Sequence, residues 1–203
     1  LSGLKERLWN PTLHFHLGPR CVEEELFRTL PGRVRRKAHR GAVAAAYGAQ
    51  AAFNREVQEA GRDALDLIMK EQVPAVVLLG RPYNLYDPGV NLNLPAKLRT
   101  IYGVNVLPMD FLPLAGMDIR PLHDHMFWNY GRRILQAALW TRPYPNLHLI
   151  AISNFKCGPD SYVRHFIEEA AGRPFLFLQL DSHSNDAGVM TRIEAFLESK
   201  GML

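Results

Sequence analysis

Four short apolar runs punctuate the second two-thirds of this chain, and each is followed by a polar loop and then by a helical pattern. Ala75-Val-Val-Leu-Leu79 is continuous and closes on Gly80, the signature of a strand covered on both faces. Val104–Leu107, Leu147–Ile152 and Pro174–Leu180 repeat it. Between them, a helix is predicted from Pro95, a residue suited to a first helical turn, to just before Gly103. A second runs from His123 to about Thr141, with Met126, Tyr130, Ile134, Ala137 and Ala138 on one stripe. A third covers Asp160–Ala171 with Asp160 as N-cap, and a fourth covers about Val189–Ser199. Ahead of the first strand, Val34–Lys70 reads as one long helix: Ala46, Ala49, Phe53, Val57, Ala60, Ala64 and Ile68 follow steps of three and four. Gly41, Gly48 and Gly61 each weaken it by about 1 kcal/mol against Ala, so a break near one of them is an expectation. Strands alternating with helices imply parallel pairing. The fold class is therefore α/β, a Rossmann-like open parallel sheet of about four strands flanked by helices and preceded by a long helix.

The organisation that follows is an irregular lead-in over residues 1–32, in which only Val22–Leu30 looks helical, and an α/β domain over 33–203, with its long helix at 33–70 and its sheet core at 73–203. The opening Leu1-Ser-Gly-Leu-Lys-Glu-Arg lacks Met and an apolar h-region. It reads as the interior of a longer polypeptide rather than as a signal peptide. No apolar stretch is long enough to cross a bilayer, so no membrane partner is expected. Two distant cysteines make no disulfide framework and suit a reducing, cytoplasmic setting. The net charge of +4 is too small to imply nucleic acid. One basic run, Arg33, Arg35, Arg36, Lys37 and Arg40 with His39, is either a phosphate patch or the solvated first turns of the long helix. The second reading is preferred, because no aromatics interleave with the run.

In a parallel sheet, ligands bind beyond the carboxyl ends of the strands. The four loops that leave those ends are Gly80-Arg-Pro-Tyr-Asn84 (continuing through Asp87 to Asn93), Pro108-Met-Asp-Phe111, Ser153-Asn-Phe-Lys-Cys-Gly-Pro-Asp160 and Asp181–Gly188. Each is rich in groups that bond or coordinate, and all four are expected on one rim.

The Cys157 loop is the most informative. A thiol just before a helix sits in the field of free N–H groups, which favours the thiolate, and Lys156 adds positive charge. Gly158 lets a backbone approach a bulky ligand. Cys157 can be an iron–sulfur ligand, a nucleophile (with His183 as base) or a small buried residue. Arg81 can grip a phosphate or carboxylate, or it can pair with Asp87 or Asp110. Tyr83 is a stacking platform or plain packing. Asp181, His183 and Asp186 have no zinc-type spacing, which leaves loop capping as the default; His123 and His125 are read as structural. Neither Gly-x-Gly-x-x-Gly nor Gly-x-x-x-x-Gly-Lys-Ser/Thr is present, which argues against a conventional dinucleotide fold and excludes a P-loop ATPase.

The runs Leu79-Gly-Arg-Pro-Tyr-Asn84, Asn91-Leu-Asn-Leu-Pro95, Leu107–Pro113, Asn154-Phe-Lys-Cys-Gly-Pro-Asp160 and Asp181–Arg192, in this order, resemble the long acyl-CoA dehydratase activase proteins. More narrowly, they resemble the portion related to the D-component of 2-hydroxyglutaryl-CoA dehydratase and to double-cubane cluster proteins. The resemblance covers roughly the last two-thirds of the chain. It implies a [4Fe–4S] or double-cubane cluster, an ATP-hydrolysing activator that delivers low-potential electrons, and an acyl-CoA-type small molecule as substrate. It places Cys157 as one metal ligand and, with the loops, nominates Cys157, Gly158, Arg81, Tyr83, Asn154, Asp110 and His183 as cofactor-binding residues. A cluster needs three or four ligands. The family's other cysteines lie in a preceding lobe, Cys21 in Gly-Pro-Arg-Cys-Val does not match their motif, and the ATPase module is missing. The expectation is one lobe of an enzyme, with no cluster in this chain alone and no activity by itself, whose partners are the other cysteine lobe and the activator. The alternative is a non-catalytic module that binds CoA or a nucleotide, or docks the activator.

Overall fold

The computed structural model describes residues 8–30, 32, 34–181 and 185–203. They fall into two compact units, Leu1–Glu56 and Val57–Leu203. In the first, a 3₁₀ turn at Phe15–Leu17 leads into α1, Pro19–Thr29. The unit also holds the start of α2, Arg36–Glu71, which runs unbroken past all three of its glycines. His39 is buried, with its Nε2 2.8 Å from the Glu23 carbonyl and its ring 5.2 Å from that of Phe27. Arg40 pairs with Glu23 at 3.2 Å and Arg36 lies 4.9 Å from the Phe27 ring. Two cations of the basic run, Arg36 and Arg40, are thus engaged within their own unit; Arg33 lies outside the described residues.

The second unit is a four-stranded, wholly parallel sheet: β1 Ala75–Gly80, β2 Asn105–Pro108, β3 Leu147–Asn154 and β4 Leu176–Leu180, in the order β2-β1-β3-β4. β1 is central and every one of its residues is buried, which is why its sequence is an unbroken apolar run. Between strands lie α3 (Pro82–Tyr86), α4 (Leu94–Tyr102), α5 (Asn129–Thr141) and α6 (Gly158–Ala171); α7 (Ala187–Ser199) follows β4. α4 starts with Pro95 in its first turn and stops at Gly103, whose φ of +69° suits glycine. α5 and α6 pack against each other, and a methyl on Gly131 meets Val163 at 2.9 Å.

Three expectations about these elements are corrected. The helix expected from His123 begins only at Asn129, because the polar and aromatic residues before it are taken up by loop contacts such as that of His123 Nε2 with the Tyr162 hydroxyl at 2.7 Å. α2 has no break at its glycines. α6 starts earlier than expected: its N-cap is Cys157, not Asp160, whose carboxylate is engaged elsewhere.

α4 and α7 are joined by the Tyr102 hydroxyl, which donates to Glu194 at 2.8 Å, and by Lys97 with Asp186. Burial, together with that bond to Glu194, pushes the Tyr102 phenol up to about 12. A free tyrosine ionises near pH 10. The unfolded chain therefore loses this proton first, and the stability present below about pH 10 drains away as pH rises towards about 12. Tyr102→Phe is expected to flatten this alkaline slope, read as urea midpoints at about pH 9 and about pH 11.

Candidate functional site

The sheet order reverses between β1 and β3, because the chain leaves β1 for one side and returns to the other. This is the crevice in which open α/β sheets place ligands. Gly80 and Ile152 are in register there, and a methyl on Gly80 meets the Ile152 carbonyl at 2.7 Å. Only glycine lets the two strand ends lie this close. Arg81 and Ser153 consequently emerge side by side.

Their meeting point is Asp160. Arg81 Nε donates to Oδ1 at 3.0 Å and Ser153 Oγ donates to Oδ2 at 2.9 Å. Asp160 is 5% exposed and the Arg81 side chain 18%. Burial works against the Arg81 charge, but Asp160 more than offsets it, so the guanidinium holds its proton above the ordinary arginine range. Arg81 pairs neither with Asp87 nor with Asp110, the partners its sequence neighbourhood suggested. Asp87 instead closes its own turn onto the Gly89 N–H at 2.8 Å. On the α5–α6 side, Ile134, Ala151, Val163 and Ile167 leave only about 10 Å³ of free space below the pair. A ligand at this crevice sits above the pair, not beneath it.

Cys157 stands at the lip. Lys156 adopts a left-handed conformation (φ +62°) that turns the chain from β3 into α6. The Cys157 N–H bonds the Asn154 carbonyl at 3.1 Å, and its own carbonyl accepts from the Ser161 N–H at 3.0 Å. The side chain is partly exposed rather than packed in the core. Gly158 has open space where a side chain would stand. Tyr83, half-exposed on α3, lies within electrostatic range: burial pushes its phenol up, Asp160 and Cys157 push the same way, and Arg81 opposes them.

The carbonyl end of the Asn154 side chain is buried without a hydrogen bond, as is that of Asn84. Asn84 is wholly buried and ties α3 to β3 through its amide N–H on the Ile152 carbonyl at 3.2 Å.

Asp110 belongs to a second cluster. It accepts from the Tyr86 hydroxyl at 2.8 Å and from Arg133 at 2.5 Å. Burial and then Asp110 push the Tyr86 phenol far above its usual range. The structure thus brings Arg81, Tyr83, Cys157 and Asp160 together and holds Asp110 with Tyr86 and Arg133. His183 lies outside the described residues. Sequence reasoning assigned no site role to Ser153, Asn84, Tyr86 or Arg133, and it took Asp160 for a cap. The available signal was that Asp160 is acidic in the first turn of a helix whose preceding strand carries a hydroxyl residue, Ser153, next to its end.

A [4Fe–4S] group finds one thiolate on this rim. Among the described residues no three His, Cys, Asp or Glu side chains converge to hold a metal, and Cys21 belongs to the other unit. Among the described residues this rim supplies one of the three or four ligands that a cluster needs.

An open, wholly parallel α/β sheet with a polar lip at its switch point defines the class of protein. The chain belongs to the family described as CoA enzyme activase uncharacterised domain, whose sequence model matches residues 3–112, just over half of the 203. The matched segment contains Arg81, Tyr83 and Asp110; Asn154, Cys157, Gly158 and His183 lie beyond it. No curated protein and no solved structure matches the chain. Among the described residues no helix is long and apolar enough to cross a membrane.

Proposed function

We propose that this chain is a lobe of a cytoplasmic CoA enzyme activase of the 2-hydroxyacyl-CoA dehydratase type, and that it offers one thiolate, Cys157, to an iron–sulfur cluster whose other ligands come from outside this chain. The observation that carries the reading is the position of Cys157: partly exposed, at the N-cap of α6, on the lip of the switch point beside Arg81 and Tyr83. A helix N-terminus favours a negatively charged group placed before it. Gly158 leaves the approach to the sulfur open. Arg81, fixed by Asp160, holds the lip in place, and the filled space beneath the pair keeps an incoming group at the surface, where a second lobe can close over it. When bound, a cluster of this type supplies low-potential one-electron chemistry, here driven by an ATP-hydrolysing activator and directed at an acyl-CoA-type substrate.

The test is Cys157→Ser in the complete protein, reconstituted anaerobically with its other cysteine lobe. The expected result is loss of iron and of the visible absorption, with the far-ultraviolet spectrum retained. Unchanged iron and absorption would refute the ligand role. The alternative, a CoA- or nucleotide-binding or activator-docking module gripping phosphate through Arg81, is weakened by the Asp160 carboxylate, which neutralises the charge of that guanidinium.

A further inference from the structure

β4 pairs with β3 on one side, and its other edge is open among the described residues. Along that edge runs a groove of about 540 Å³ whose lining includes Arg164, His165, Glu168, Phe175, Phe177 and Arg192. Two guanidinium groups from different helices converge there on a single residue. Arg164 of α6 lies 4.7 Å from the centre of the Phe177 ring, and Arg192 of α7 donates through Nη2 to the Phe177 carbonyl at 2.7 Å.

Both arginines are held but not consumed. Neither has a carboxylate within ion-pairing distance among the described residues. A guanidinium carries five N–H donors, of which Arg192 commits one and Arg164, held by its ring contact, none. Pinning each fork in advance lowers the ordering cost of gripping an anion. A basic side chain that blocks strand addition is a common use of a sheet edge. That use accounts for Arg192, whose bond caps a free carbonyl. It does not account for a second arginine stacked on the same residue, nor for the histidine beside it.

We propose that this groove binds a phosphate-class dianion, carried as a phosphomonoester or a diphosphate, between Arg164 and Arg192, with His165 as a further donor and Glu168 as an opposing charge in the lining. The planar forks match the paired oxygens of phosphate. The groove is separate from the Cys157 lip.

Calorimetric titration of the full-length protein with inorganic phosphate and with pyrophosphate, using sulfate as control, tests this. One saturable site per chain is expected. Preference for pyrophosphate marks a diphosphate group and parity marks a monoester; either supports the assignment. Arg164→Met and Arg192→Met should each weaken binding by about tenfold or more, Glu168→Gln should tighten it, and Cys157→Ser should leave it unchanged. If Arg192→Met exposes the edge and the protein associates, Arg164→Met and Glu168→Gln, which leave the carbonyl capped, decide the matter. No saturable binding, or sulfate and phosphate binding alike with no response to these substitutions, would overturn the proposal.

Discussion

Arg81→Met is expected to lower stability by about 3–5 kcal/mol, the cost of leaving a buried charge without its partner. The size follows from burial. Asp160 is almost wholly enclosed and Arg81 largely so, so water screens little of the loss, unlike at an exposed pair. With Arg81 gone, Asp160 keeps, among the described residues, the Ser153 hydroxyl at 2.9 Å. The pair also joins the end of β1 to the first turn of α6, and so fixes the lip on which Cys157 stands. Urea unfolding of Arg81→Met, Asp160→Asn and the double variant measures the effect. The double variant should cost less than the sum of the singles by about 1–3 kcal/mol, the coupling of two groups in direct contact. Additive losses would mean that the two side chains act separately.

Gly61→Val carries the second large effect. A methyl at Gly61 falls 2.2 Å from the Phe111 carbonyl oxygen and 2.9 Å from Phe111 Cα. These are backbone atoms, which cannot rotate aside. Next to this contact, Gln58 donates to the Asp110 carbonyl at 2.6 Å, so α2 is clamped to the turn that follows β2. The substitution should cost about 3 kcal/mol, the upper end for overpacking, and lower the melting temperature. Gly41→Ala, where a methyl meets nothing within 4 Å, should instead gain up to about 1 kcal/mol from helix propensity.

Gly61 also shows what the sequence conceals. By propensity it is one of three weak points in a helix; in the structure it is a contact surface. The apolar period runs through Ala60, Ala64 and Ile68, whereas the buried positions of that stretch are Gly61, Leu65 and Ile68. A glycine contributes nothing to an apolar period, so the periodicity slipped round the helix by about one position. The strands were legible for the opposite reason. Residues 75–80 are buried on both faces and have no freedom to be polar, and Leu147–Ile152 is nearly as constrained. Their parallel pairing followed from the helices between them.

The site was legible as a set of loops but not as a set of partners. Parallel strands must send their carboxyl ends to one edge, which is why Arg81, Asp110 and Cys157 could be nominated together. Which carboxylate Arg81 meets depends on strand order and register, and neither is encoded locally. Asp160 stands next to Arg81 because β3, which sets Ile152 in register with Gly80, leads past Ser153 into α6 on that side of β1. Asp110, at the end of β2, is taken by Tyr86 and Arg133 instead. The resemblance carried by the last two-thirds of the chain and the family match over residues 3–112 overlap at β1, its loop and β2, the segment that builds one wall of the switch point.

The most direct measurement is crystallography of the anaerobically purified complete protein with anomalous scattering recorded at the iron edge. An iron peak within bonding distance of the Cys157 sulfur, with its remaining ligands drawn from another lobe, is the predicted result. Iron located elsewhere, with the Cys157 sulfur facing solvent, would contradict the account.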